Sequence, residues 1–122
     1  MPLMRSLDAV FPIERQLELD ASPVVLVNVF TLDSADEQTF LRAWTDDAQF
    51  MKRQRGCISI QLHRAIGASP TYLNYAVWES MADFRAAFGH PEFRTKLTAY
   101  PDSAVAVPHL FQKVGVPDIC VA

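Results

Sequence analysis

Two kinds of periodicity divide this chain. Val24 to Leu32 is apolar on both of its alternating faces, interrupted by Asn28 and Thr31, which suits a β-strand covered on both sides. Phe40, Trp44, Ala48 and Met51 then recur at helical spacing while Asp36, Glu37, Arg42, Asp46 and Lys52 largely fall off that stripe, so an amphipathic helix follows. Ser34 and Glu37 read as a capping box opening it, and Gly56 as its stop, for a helix of about 20 residues. Cys57 to Ile66 alternates again, with Ile58, Ile60, Leu62 and Ile66 on one face, and Gly67-Ala68-Ser69-Pro70 has the length and residues of a hairpin loop. Thr71 to Glu79 is the third strand. Ser80 is a good cap for a second helix, with Asp83 in its first turn and Met81, Phe84 and Phe88 on its inner face. Gly89-His90-Pro91 ends that helix, and Pro91 can open a short third one reaching about Leu97. Tyr100 to Val107 reads as a linker punctuated by Pro101 and Pro108, and His109 to Val116 as a fourth strand.

The order predicts an α+β fold, the ferredoxin-like βαββαβ unit: a four-stranded antiparallel sheet with helices on one face. Its other face is apolar too, since the first strand offers Val25, Val27 and Val29 as well as Leu26, Phe30 and Leu32. Such a face must be hidden, and pairing two sheets into a dimeric α+β barrel hides it, so a homodimer is expected. Residues 23–117 form the domain, 1–22 an N-terminal arm and 118–122 a C-terminal tail. The termini either strap the partner subunit or pack loosely.

Composition narrows the function classes. The chain has 122 residues, half of them apolar, which fits one domain with a real core. Its net charge of -3 comes from interspersed acids and bases, so no basic stripe invites nucleic acid. No apolar run approaches the roughly 20 residues that span a membrane. The first 20 residues lack the apolar stretch of a signal peptide, so a cytoplasmic protein is expected. Two cysteines and three histidines stand at no metal-ligand spacing, so reduced thiols and no bound metal are expected.

The candidate chemistry sits on the third strand. Period two puts Tyr72, Asn74, Ala76 and Trp78 on one face. If the hairpin pairs Ile66 with Thr71, His63 lies opposite Asn74, Gln61 opposite Ala76 and Ser59 opposite Trp78, so that Ser59, Gln61, His63, Tyr72, Asn74 and Trp78 form one polar and aromatic patch. A buried amide and a buried indole both need hydrogen-bond partners, from the protein or from a ligand. Asn28, polar in an apolar strand, is a further candidate to line a cavity.

Val24 to Phe30, the helix carrying Phe40 and Trp44, the Gly56 turn into Ser59 and His63, and Asn74-Tyr75-Ala76-Val77-Trp78-Glu79-Ser80 followed by Phe84 and Arg85 resemble, in order and spacing, the antibiotic biosynthesis monooxygenase family. The resemblance covers about Val24 to Val116. It implies a dimeric α+β barrel, and, for the quinone-forming members, oxidation of phenols by dioxygen without flavin, haem or metal. In those enzymes an Asn and a Trp four residues apart on the third strand assist the chemistry, matching Asn74 and Trp78. A Tyr in the following helix is Phe84 here, and Arg94 is the nearest counterpart of a downstream Arg. A haem-degrading branch uses a first-strand Asn, matched by Asn28, but Ala87 and Leu97 stand where its Trp and His are expected. The expectation is therefore a cofactor-independent monooxygenase acting on a small aromatic quinol or phenol and O2. Asn74 and Trp78 assist the reaction, and His63, with an ordinary pKa near ~6.5, is a candidate base. Asn28, Ser59, Gln61, Tyr72, Phe84 and Phe88 are expected to line the substrate space. The rival is a non-catalytic dimeric barrel that binds a small hydrophobic ligand or accompanies a pathway enzyme. An enclosed pocket touching both Asn74 and Trp78 separates the two readings: if that space is filled by Phe84, Phe88 and Met81 with the amide satisfied internally, the catalytic reading fails.

Overall fold

The computed structural model describes residues 1–122. The strands are β1 (Leu3–Met4), β2 (Val24–Thr31), β3 (Cys57–Arg64), β4 (Thr71–Trp78) and β5 (Val105–Phe111), and the helices α1 (Ile13–Gln16), α2 (Glu37–Lys52), α3 (Met81–Phe88) and α4 (Pro91–Leu97). They build the ferredoxin-like α+β fold. The sheet has five strands rather than four, in the order β1-β5-β2-β4-β3, and is mixed because β1 joins β5 in parallel. No helix is long and apolar enough to cross a membrane.

Alternation along β2 sends Leu26, Asn28 and Phe30 toward the helices and Val25, Val27 and Val29 to the opposite face. Two apolar clusters lie under the helices. One joins Val24, Leu26, Ala76 and Trp78 to Met81, Phe84 and Phe93, and the other joins Phe30, Phe40, Tyr72 and Tyr100. In the second, the Phe40 ring meets Phe30 edge-on at 5.0 Å and Tyr72 at 4.7 Å.

Helix starts follow the sequence where a side chain can reach back. Ser80 Oγ accepts from the Asp83 N–H at 3.1 Å and donates to Asp83 Oδ2 at 3.0 Å. His90 starts α4 as well as stopping α3, because its Nδ1 accepts from the Glu92 N–H at 3.0 Å beside Pro91. The capping box at Ser34 does not form. Ser34–Asp36 is a 3-10 turn without a side-chain cap, and Glu37 turns instead to Arg64 and Tyr72 at 2.8 and 2.6 Å. Its carboxyl is held below the usual range by Arg64 first and Tyr72 second. The α-helix is correspondingly shorter than expected.

The last strand begins at Val105, inside the expected linker, and runs through Pro108. That is possible because of which edge the proline faces. Ala106 O accepts from Arg5 N at 2.8 Å and Leu110 bonds the Gln16 amide through both its N–H and its C=O at 2.9 Å, so alternate residues of β5 turn outward, away from β2. Pro108 lies midway between them, and its missing N–H falls on that outer side. The arm packs against its own chain: Ile13 is buried, and Arg85 ties Leu17 and Leu19 to α3.

Gly56 joins α2 to β3 at φ +84°, and a Cβ there would overlap the Asp83 carboxylate that accepts from the Ser80 hydroxyl. Gly56→Ala is therefore expected to destabilise by about 1–3 kcal/mol. Thermal denaturation followed by circular dichroism reads this, and an unchanged Tm contradicts it.

Candidate active site

A cavity of about 60 Å³ lies between the sheet and the helices, where the two apolar clusters meet. Its floor is Leu26, Asn28 and Phe30 of β2, Asn74, Ala76 and Trp78 of β4, with Ile60, Ala106 and Pro108 beside them. Its roof is Trp44, Asp47, Ala48 and Met51 of α2, Phe84 and Phe88 of α3, Phe93 and Leu97 of α4, and Tyr100, while Pro2 and Met4 of the arm close one side. The volume exceeds that of one water but is below the roughly 150 Å³ that accepts benzene. An aromatic ring therefore enters only as wall side chains move. Met4, 43 % exposed, is the most exposed of the lining residues, the others being buried or half-buried.

The floor is polar at its centre. Asn28 and Asn74 are direct cross-strand partners, flanked by Pro108 and Leu62. Their Oδ1 atoms, the Trp78 Nε1 and the Asp47 Oδ1 are all buried and have no hydrogen-bond partner. Four of the molecule's five such atoms thus belong to residues of one cavity; the fifth is His109 Nδ1. Trp78 stands edge-on to Phe84 at 5.7 Å, and Phe84 stacks on Phe88 at 5.3 Å, so the indole is fixed by aromatic packing.

Asp47 is the residue that the sequence reading missed. It stands at i+3 from Trp44 and i−4 from Met51, so it belongs to the apolar stripe of α2, and an acid on such a stripe is the signal that could have found it. Its Oδ2 accepts from the Tyr100 hydroxyl at 2.7 Å. Burial pushes the Asp47 carboxyl up to about 6, while the Tyr100 hydroxyl and the Lys96 ammonium pull it down. Burial, then the Asp47 charge, drives the Tyr100 phenol well above its ordinary value. Phe84 carries no hydroxyl, and the phenol in this cavity is supplied by Tyr100.

Asn28, Asn74, Trp78, Phe84 and Phe88 come together as expected, but Ser59, Gln61, His63 and Tyr72 do not join them. Arg64 pairs with Tyr72 and Leu62 with Asn74, one residue away from the expected register, and a one-residue slip exchanges the faces of β3. The turn takes the extra residue: Ala65 N bonds Thr71 O at 2.8 Å, Ile66 is 99 % exposed, and Gly67 adopts φ +80°. Ile60 and Leu62 thereby go under the helices, where apolar side chains gain most, and Ser59, Gln61 and His63 go to the opposite face. His63 is exposed, with Nδ1 3.4 Å from Leu73 O. Tyr72 shares a face with Asn74, but its hydroxyl is held by Glu37 in the second cluster. Arg94 lies over the Phe88 ring, 6.0 Å from its centroid, outside the cavity.

Fold and cavity together define a ferredoxin-like protein with one apolar chamber whose amides and indole are left unpaired. The chain belongs to the antibiotic biosynthesis monooxygenase family, whose model matches residues 23–98. It is 33 % identical over 81 residues to deoxynogalonate monooxygenase of Streptomyces nogalater, covering 66 % of this chain and 68 % of that one. The crystal structure of SnoaB, a cofactor-independent oxygenase from Streptomyces nogalater, superposes with a TM-score of 0.72 at 30 % identity, over 80 % of this chain and 99 % of that one. The arm lies outside the family match, although it contributes Pro2 and Met4 to the cavity wall.

Proposed function

We propose that this protein is a cofactor-independent monooxygenase that oxidises a small aromatic quinol or phenol with dioxygen inside the cavity. The observation that carries the reading is the set of unpaired polar atoms on Asn28, Asn74 and Trp78. Each buried polar group without a partner costs about 1–3 kcal/mol, and such a concentration in one chamber fits a site built to receive a polar aromatic ligand. Supporting it as well, a small cavity touches both Asn74 and Trp78, with Phe84 and Phe88 in its wall rather than filling it.

The chemistry follows from the substrate class. A phenolate is electron-rich enough to pass an electron to O2. The two radicals combine at a ring carbon bearing hydrogen, and loss of water leaves a quinone: one oxygen atom enters the product, and the other leaves as water with the ring hydrogen and the phenolic proton. The cavity's part is to hold the ring, exclude bulk water and offer amide N–H and indole N–H donors where charge develops on oxygen. Oxygen uptake by metal-free protein with a panel of hydroquinones and anthrones, read together with quinone absorbance, tests this. No uptake above the uncatalysed rate with any member overturns it.

The homodimer belongs to the same reading. All helices cover one side of the sheet, and the other side carries Val27, Val29, Leu73 and Val77 half-buried and Tyr75 and Phe111 exposed at 38 and 42 %. A second copy packing the same face against it, sheet on sheet, covers this surface. Val27→Asp, at the centre of that face and outside the cavity, is expected to convert a dimer to a monomer in light scattering. A monomeric wild type at micromolar concentration overturns the dimer.

A further inference from the structure

We propose that Asp47 is the proton acceptor of the cavity, taking the proton of a bound phenol on Oδ1 while the Tyr100 hydroxyl holds Oδ2. The inference rests on the reading of this cavity as a phenol site, but names a group that neither the family resemblance nor the third-strand motif supplies.

The geometry is that of a divided carboxylate. Trp44, Asp47, Ala48 and Met51 present one face of α2 to the chamber, whose floor holds the cross-strand neighbours Asn28 and Asn74. The neighbouring Asp46 points outward and bonds the Lys96 ammonium at 3.0 Å. Asp47 turns inward, where one oxygen is satisfied at 2.7 Å and the other is buried with no partner. A carboxylate held by a single donor keeps its second oxygen ready for another, and a phenolic O–H lying between roof and floor is a donor of the right kind. Tyr100 acts as a positioning residue, since its hydroxyl can donate to only one of the two oxygens and so leaves Oδ1 without a partner on a residue that lines the chamber.

The proton transfer is balanced. The phenol and the Asp47 carboxylate become a phenolate and a carboxylic acid. The phenolate then reduces O2, and Asp47 returns its proton to the oxygen that leaves as water. The charged and titratable groups acting on Asp47 are Tyr100 and Lys96 from α4 and the turn after it, and Asp46 on its own helix. The Met1 ammonium lies on the Tyr100 carbonyl at 3.1 Å. The sheet contributes only the neutral Asn28 and Asn74. Burial raises the carboxyl to about 6, so the accepting, ionised form is complete above that pH and lost below it.

Two measurements test this. In oxygen uptake with an anthrone, kcat/KM of the wild type is expected to rise through pH 6 and level off. Asp47→Asn should lower the level at pH 8 by about 10²-fold and remove the rise. Tyr100→Phe, which takes away the donor favouring the ionised carboxylate, should move the rise to higher pH. A purely structural Asp47 leaves the pH profile where it was. The second measurement is calorimetric binding of unsubstituted phenol, which is neutral in solution across this pH range and does not require turnover. Its Kd should weaken up to about tenfold per pH unit below 6 in the wild type and stay flat in Asp47→Asn. Flat or absent binding of phenol by the wild type overturns the role of Asp47 even if oxygen is consumed. Binding with the expected pH limb but no oxygen uptake with any phenol sustains Asp47 and overturns the monooxygenase reading.

Discussion

Asn74→Ala is expected to lower kcat for anthrone or hydroquinone oxidation by about 10²-fold, with little change in KM. Removing one preorganised donor to a developing oxyanion costs about 10²–10³ in kcat in enzymes where it has been isolated. The lower end is expected here because Asn28, the direct cross-strand partner, remains. The split between kcat and KM follows from where the charge is. A neutral phenol gains little from the amide, whereas reduced oxygen gains much, so the loss falls on the transition state. Trp78→Phe keeps the packing on Phe84 but removes the only N–H of that side chain, and should lower kcat in the same way. Stability should move the other way. Asn74 Oδ1 is buried without a partner, so removing the amide takes away a group that already weakens the fold, and Tm should stay or rise. Wild-type kcat in both variants sinks the proposed roles.

Phe40→Ala is expected to cost about 3–5 kcal/mol of stability. Phe40 is completely buried and contacts three rings, Phe30, Tyr72 and Tyr100, with centroids 5.0, 4.7 and 5.7 Å away. Neighbours anchored in two strands and behind α4 cannot collapse into the space it leaves, so the void persists and its cost adds to the lost burial. Against a typical total of about 5–15 kcal/mol, this takes the protein to the edge of folding. Urea denaturation measures it, and a loss under 1 kcal/mol contradicts the account. The same variant should disturb the Asp47 carboxylate, because Tyr100, which bonds it, loses its ring contact with Phe40.

Much of the fold is legible one residue at a time. The β2 run, the stripe Phe40, Trp44, Ala48 and Met51, and the Ser80 cap each contain their own signal, because strand and helix periodicity and capping are local. Where the reading departs from the structure, the deciding contact is distant in sequence. Glu37 could cap its own helix, yet it bonds Arg64 and Tyr72 from other strands. Pro108 reads as a linker until Arg5 and Gln16 show which edge of β5 it faces. Whether the hairpin turns over four residues or five is nearly neutral locally. The face of β3 that goes under the helices decides it, and with it the fates of Ser59, Gln61 and His63.

The site divides in the same way. Asn28, Asn74, Trp78, Phe84 and Phe88 are set on the inner side by the alternation and helical phase of their own segments, so the sequence by itself determined that an amide and an indole share a face and that aromatic residues cover them. Only the tertiary structure decided that Asn28 stands directly opposite Asn74, that no protein group satisfies either Oδ1, and that Asp47 and Tyr100 complete the roof. The physical reason is that a strand or helix specifies the direction of a side chain, while the partners of a buried polar atom come from whichever elements pack across it.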